Sequence, residues 1–342
     1  MEQPIKIKGN LSRDIFVDQL KGLAILLVVF GHSLQTTYPD FDNNIYFRII
    51  YSFHMPLFMF ISGWVATYSN FNSSFYSFAG GKFKRLVVPF LAWYLISYYV
   101  NQSNYTLDEY LLNLVKSPDF GLWFLWVLFL CHMTLFLSKK LAPYIGDYHL
   151  LLALIAVSFI PMKYFGFELL KWQFQFFVFG YFIGKNIDFF SKRKYWILTT
   201  ASILFPFLST SWHRLHLPTF MVDLRAGVYS ETLLACIDKF YSLIVPLSGI
   251  GFTFVVAAAI LALSKRLANY LAWIGLFTMD IYAIHFYFLG KVSIGGGSAR
   301  VLSMFLFALS LSILVSKVIR KSTRLTAMLF GENIKRPLNT AN

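Results

Sequence analysis

Apolar runs of about 17–25 residues, broken by short polar segments, dominate this chain, and that is the length an α-helix needs to cross the hydrocarbon core of a bilayer. Ten such segments are predicted, near 15–37, 46–69, 86–100, 121–138, 149–162, 169–184, 195–210, 240–263, 268–290 and 300–319. The third, fifth, sixth and seventh are short, which suits tilted or broken spans. The pattern predicts an all-α, polytopic integral membrane helix bundle. It divides the chain into an N-terminal tail (1–12), a transmembrane domain (13–320) and a C-terminal tail (321–342). The first apolar run lacks a small-residue cleavage site and reads as a retained span.

Charge placement orients the bundle. With the N-terminus inside, the segments on its side hold 20 Lys and Arg residues and the opposite segments nine. That bias, with an even number of spans, puts both termini in the cytoplasm of a bacterial inner membrane. Apolar residues make up 57% of the chain and charged residues 13%, against about 25% charged in a soluble domain. The net charge of +14 belongs mainly to the face that meets anionic lipid. A nucleic-acid partner would need a basic face with readout elements, and none is present. The two cysteines, Cys131 and Cys236, are too few for a disulfide framework. Gly295-Gly296-Gly297 lacks the strand–helix context of a phosphate cradle. Gly180 and Gly184 are spaced for close helix packing.

Ionisable groups inside spans are costly, so each is a candidate for function. The first span carries Asp18, Lys21 and His32. Lys21 and His32 are eleven positions apart, about 1100° of helical rotation, so they point nearly the same way about 16 Å apart along the axis. Asp18 and Gln35 extend this polar lane at either end, and Asp18 is placed to pair with Lys21. An inner cation and an outer imidazole suit a donor entering from the cytoplasm and an acceptor outside. The alternative is a snorkelling lysine and a histidine bonded within the bundle. In the second span, Pro56 frees the Ser52 carbonyl and predicts a kink beside His54, either opening a polar pocket or leaving His54 to cap that carbonyl. Ser62 follows in Ile61-Ser62-Gly63. Lys82, Lys84 and Arg85 form either a positive-inside anchor or a phosphate-binding patch. The ninth span holds Asp280, Tyr282 and His285. Asp280 and His285 stand about 140° apart on a helix, so they face differently, and Asp280 requires a partner, a proton or water. The loop near 211–238 is the main ordered external segment, and its His213 and His216, like His132, are weaker candidates. No metal is expected.

Four pieces in order are similar to acyltransferase family 3. They are Lys21 with His32 after ten residues, preceded by Asp18; Phe53-His54-Met55-Pro56-Leu57-Phe58 running into Ile61-Ser62-Gly63; Lys84-Arg85 followed by Pro89; and Ile274-Gly275 with Ile281-Tyr282-Ala283-Ile284-His285. Leu122-Trp123-Phe124-Leu125 resembles the branch that includes fucose O-acetylase-like enzymes. The resemblance covers about residues 13–320. It implies about ten spans, a cytoplasmic acyl-CoA donor (acetyl-CoA here), and transfer to a hydroxyl of a surface glycan or lipid-linked sugar. It implies that His32 is catalytic and that Lys21 contacts the donor or supports the site. Many members carry Arg at Lys21, and Lys keeps the charge without the planar fork. Some members add an esterase-like domain, whose counterpart here would be a separate glycan-assembly protein. On this reading Lys82, Lys84 and Arg85 hold the donor phosphates, and His32, helped by His54, acts as general base or carries the acyl group. The competing class is a transporter or flippase of a glycan, weakened by the lack of matching broken helices in two halves.

Overall fold

The computed structural model describes residues 14–100, 105–116, 118, 122–227 and 230–332. The predicted N-terminal tail and the end of the C-terminal one lie outside them.

Among the described residues every regular element is a helix. In chain order they are α1 (Ile15–Thr37), α2 (Ile45–Tyr51), α3 (His54–Ala66), α4 (Phe75–Lys82), α5 (Val88–Val100), α6 (Leu107–Lys116), α7 (Trp123–Lys139), α8 (Ala142–Ile145), α9 (Tyr148–Ser158), α10 (Phe167–Lys185), α11 (Ile187–Thr210), α12 (Thr219–Ala226), α13 (Glu231–Leu263), α14 (Lys265–Gly275), α15 (Thr278–Ile284), α16 (Gly297–Ile319) and α17 (Thr323–Phe330). Capping fixes several starts. The Asp14 carboxylate accepts from the amides of Phe16 and Val17, and the Asn44 side chain accepts from those of Tyr46 and Phe47.

Each of the ten predicted segments contains helix. Among the described residues, four helical runs are long and apolar enough to cross a membrane: Ile15–Thr37, Ile45–Ala66, Glu231–Leu263 and Gly297–Ile319. A fifth forms if α14 and the run Thr278–Tyr287, bent by 58°, count as one. The ninth predicted span is thus a broken one. The second is broken as well, at Ser52–Phe53, ahead of the proline expected to kink it. Pro56 sits in the first turn of α3, where a missing N–H costs nothing. His54 Nδ1 donates to the Ile50 carbonyl at 2.9 Å, one turn back, rather than to that of Ser52.

The polarity of the bundle is inverted relative to a water-soluble protein. On α16 the exposed side chains include Leu302, Leu306, Leu314 and Val318, whereas Ser312 and Ser316 are fully buried. Buried polar groups under an apolar exterior, such as Ser316 donating to Asp280, are what a lipid solvent selects. The chain is a helical membrane protein.

Two seams bring helices to backbone contact. A Cβ on Gly63 would overlap the Phe177 carbonyl, and one on Gly180 the Phe60 carbonyl, so α3 and α10 touch main chain to main chain. Gly22 meets the Leu271 carbonyl and Gly275 that of Asp18, closing α1 on α14 in the same way. These seams place Lys21 and Ser62, each beside a seam glycine, on walls that face one another. Gly180→Ala is expected to cost about 1–3 kcal/mol through overpacking, read as a lowered melting temperature in detergent. Gly80, which has no heavy atom within 4 Å of a built Cβ, supplies the contrast: Gly80→Ala should be neutral or slightly stabilising. Equal melting temperatures for the two variants would refute the close seam.

Candidate functional site

The polar residues gather in two zones along α1. The first is a cavity of about 360 Å³ near the α1 N-terminus. Its walls come from α1 (Asp18, Lys21), α3 (Met55, Phe58, Ser62, Val65), the α4–α5 junction (Lys82, Arg85), α7 (Phe124, His132) and α15 (Thr278, Met279, Tyr282), with Glu332 at its edge. Local helix geometry selects these side chains. On α3 the lining residues recur every three or four positions, one stripe of a helix. Lys82 and Arg85 lie one turn apart, while Lys84 falls about 200° away from Lys82. Lys84 accordingly is exposed and outside the cavity wall. A π-helical turn at Phe83–Val87 precedes Pro89, and such turns recur at functional sites.

The cavity wall carries three cations, Lys21, Lys82 and Arg85, and two carboxylates, Asp18 and Glu332. Lys21 Nζ donates to Asp18 Oδ1 at 3.1 Å, the pairing its spacing predicts. Lys82 Nζ donates to Ser69 Oγ at 3.3 Å and lies 5.4 Å from the Phe78 ring centre. Burial, with Arg85 beside it, pushes the Lys82 ammonium down to about 8. Such a wall can hold an anionic ligand whose apolar or amide portion extends inward.

The second zone lies toward the α1 C-terminus and collects three of the predicted histidines. The His32 and His285 ring centres are 5.4 Å apart, and the Tyr51 ring lies 5.9 Å from His32 and 4.6 Å from His54. His32 Nδ1 is 3.0 Å from Gln35 Oε1 and 2.9 Å from the Tyr51 hydroxyl, which itself donates to Gln35 Oε1 at 2.9 Å. The Gln35 oxygen can only accept, so the proton of neutral His32 sits on Nδ1. The Nε2 lone pair is then left for chemistry. His285 Nδ1 donates to the Ile281 carbonyl at 2.8 Å, and its buried Nε2 has no partner.

The zones adjoin through α3 and α15. Met55 and Tyr282 line the cavity and lie within one turn of His54 and His285 respectively. The Tyr282 ring sits 5.7 Å from Phe124 and 6.3 Å from His285. Lys21 lines the cavity, and His32 lies outside its wall.

Asp280 is in neither zone. It is fully buried and accepts from Arg320 Nε at 2.7 Å and Nη2 at 3.0 Å, and from Ser316 Oγ. Arg320 Nη1 reaches Glu332 at 2.7 Å. Burial disfavours the Arg320 charge, but the two carboxylates more than offset it and raise its pKa. Sequence reasoning required a partner for Asp280 without naming one. It also missed Tyr51, although Tyr51 precedes His54 by three positions. Glu332 carried no signal, being brought to the cavity by the fold-back of α17, where the Leu329 carbonyl accepts from Trp93 Nε1 at 2.8 Å.

Fold and site together define a helical membrane protein with a cavity whose wall carries Lys21, Lys82 and Arg85. The chain belongs to the acyltransferase domain family, which matches residues 14–320. It is 31% identical over 192 residues to the nodulation protein NolL of Sinorhizobium fredii, covering 53% of this chain and 51% of that one. It is 30% identical over 189 residues to NolL of Mesorhizobium japonicum, covering 52% and 50%. The chain thus spans about half the length of these curated relatives. No solved structure matches it.

Proposed function

We propose that this protein is a membrane O-acyltransferase that moves an acyl group, acetyl in the simplest case, from acyl-CoA to a hydroxyl of a surface glycan or lipid-linked sugar. The observation that carries this reading is the cavity with Lys21, Lys82 and Arg85 on its wall, ending within a turn of the histidine cluster. The family match supports acyl transfer. The excess of Lys and Arg on the N-terminal side supports a cytoplasmic donor entrance, and the membrane proposed is a bacterial inner membrane. Separate glycan-assembly proteins would supply or receive the sugar.

In the proposed mechanism the donor phosphates rest on Lys82 and Arg85, and the pantetheine arm extends past Lys21. His32 Nε2 takes the proton of the acceptor hydroxyl as its oxygen attacks the thioester carbonyl. The C–S bond breaks, and the CoA thiolate leaves and is protonated. Gln35 and Tyr51 hold the imidazole throughout. In the nucleophilic variant, Nε2 carries the acyl group between the two partners.

Transfer of label from acetyl-CoA to glycan by purified protein in proteoliposomes tests the reading. Movement of glycan across the bilayer with no acylation would replace it with transport.

Donor binding yields a sharper expectation. Lys82→Met should weaken CoA binding about ten- to a hundredfold, the range for losing a charge-assisted hydrogen bond, whereas Lys84→Met should not. Because the Lys82 pKa is lowered to about 8, its charge is present below that pH and lost above it. CoA affinity should be level near pH 7 and fall by up to about tenfold per pH unit above 8, the slope of one proton. Lys82→Arg should remove that break, since guanidinium stays charged. Equal CoA affinity in wild type and Lys82→Met would remove Lys82 from the donor site.

A further inference from the structure

We propose that Phe286 is the stacking platform of a pyranose-binding subsite that presents the acceptor hydroxyl to His32. The inference rests on the O-acyltransfer reading and names a residue and a ligand class for its acceptor side.

Phe286 lies in the short 3-10 turn His285–Tyr287 that ends the α15 segment. The residue is 47% exposed, yet its ring is centred 4.4 Å from the His32 ring and 4.2 Å from that of His285. It is therefore an accessible apolar face in contact with both histidines. The C–H face of a pyranose carries partial positive charge, and the face of a phenyl ring is negative, so the two stack. Polar groups complete the arrangement. His32 is half-buried, with Nδ1 engaged by Gln35 and Tyr51 and Nε2 unoccupied by either. His285 is fully buried, and its Nε2 lacks a donor. A buried acceptor without a partner is costly. A polyol ring on Phe286 brings several hydroxyl donors to a cluster whose open positions are acceptors. One apolar face and a few convergent polar atoms are the usual composition of a small-ligand site. The polar groups in contact with His32 are the His285 imidazole, the Tyr51 phenol and the Gln35 amide, a set suited to hydroxyl recognition.

The competing account is that Phe286 merely faces lipid, and two substitutions separate the accounts. Leucine is equally at home in lipid but has no π face. Tryptophan keeps one. Purified wild type, Phe286→Leu and Phe286→Trp are assayed with labelled acetyl-CoA and a panel of methyl pyranosides (gluco, manno and fuco). Contact of each glycoside with the protein is followed separately by saturation-transfer NMR. The expected result is an acceptor KM about five- to tenfold higher in Phe286→Leu, the size of a lost aromatic contact, with donor KM unmoved. Phe286→Trp should stay within about twofold of wild type, and the saturation signal should be weakest in the leucine variant. Leucine and wild-type enzymes with equal acceptor KM would overturn the subsite while leaving acyl transfer intact. A wild type that binds pyranosides but never acylates them would overturn the transfer reading and leave a sugar site. A wild type that does neither overturns both.

Discussion

Replacing His32 by glutamine should lower acyl transfer by about 10²- to 10⁴-fold, the usual contribution of a positioned general base, with unchanged abundance in the membrane. Glutamine retains hydrogen-bonding capacity near Gln35 and Tyr51 but offers no lone pair that can hold a proton near neutral pH. The stability penalty should be small, because at most a pair of hydrogen bonds is altered, each worth about 1 kcal/mol net. Loss of activity should therefore separate cleanly from loss of fold. Glycan mass spectrometry on a deletion strain rescued with wild type or His32→Gln measures it. Full acylation by the variant at equal protein level would sink the catalytic assignment. The same substitution at His54 should do less: its Nδ1 is tied to the Ile50 carbonyl, and it reaches the centre through Tyr51 rather than beside an exposed platform.

Asp280→Asn should be the most damaging single change to stability. The carboxylate is 0% exposed and answers two guanidinium nitrogens of Arg320 and the Ser316 hydroxyl. Removing one partner of a buried ion pair typically costs about 3–5 kcal/mol, and the Glu332 carboxylate left on Arg320 puts this change at the low end. Removing both restores part of that cost, so Asp280→Leu combined with Arg320→Met should melt above Asp280→Asn. The comparison also decides what Asp280 does. Tyr282, two positions along α15, lines the cavity, so Asp280 is turned toward α16 by about 200° of helical rotation. That geometry predicts a structural role, holding the α15 wall in place, rather than a part in the chemistry. Residual transfer should therefore follow stability in both variants. A double variant that is stable but inactive would instead return Asp280 to the reacting groups.

The candidate site was partly legible because helix geometry is local. Asp18–Lys21 pairing, the shared direction of Lys21 and Gln35-flanked His32, and the divergence of Asp280 from His285 all follow from about 100° per residue. The cationic cluster at 82–85 was legible as a cluster, but its members were not ranked. Lys82 and Arg85 face the cavity and Lys84 does not, a distinction that needs the position of α7 and α15 as well as the helical angle. His132 looked like a minor member of an apolar span and proves to line the cavity. The break at Ser52–Phe53 was legible too: it lies beside His54, at the carbonyl that Pro56 frees.

By itself the sequence determined the helical class, the membrane setting, the family and the polar lane of α1. These depend on composition and on periodicity within single segments, which lipid enforces strongly by penalising every unsatisfied backbone group. Only the tertiary structure decided that His285 and Phe286 stand beside His32, that Arg320 answers Asp280, and that the α17 segment brings Glu332 to the cavity edge. Those pairings join residues dozens to hundreds of positions apart. They are set by how closely helices approach at glycine seams such as Gly22–Gly275, a property of two surfaces together that neither helix carries alone.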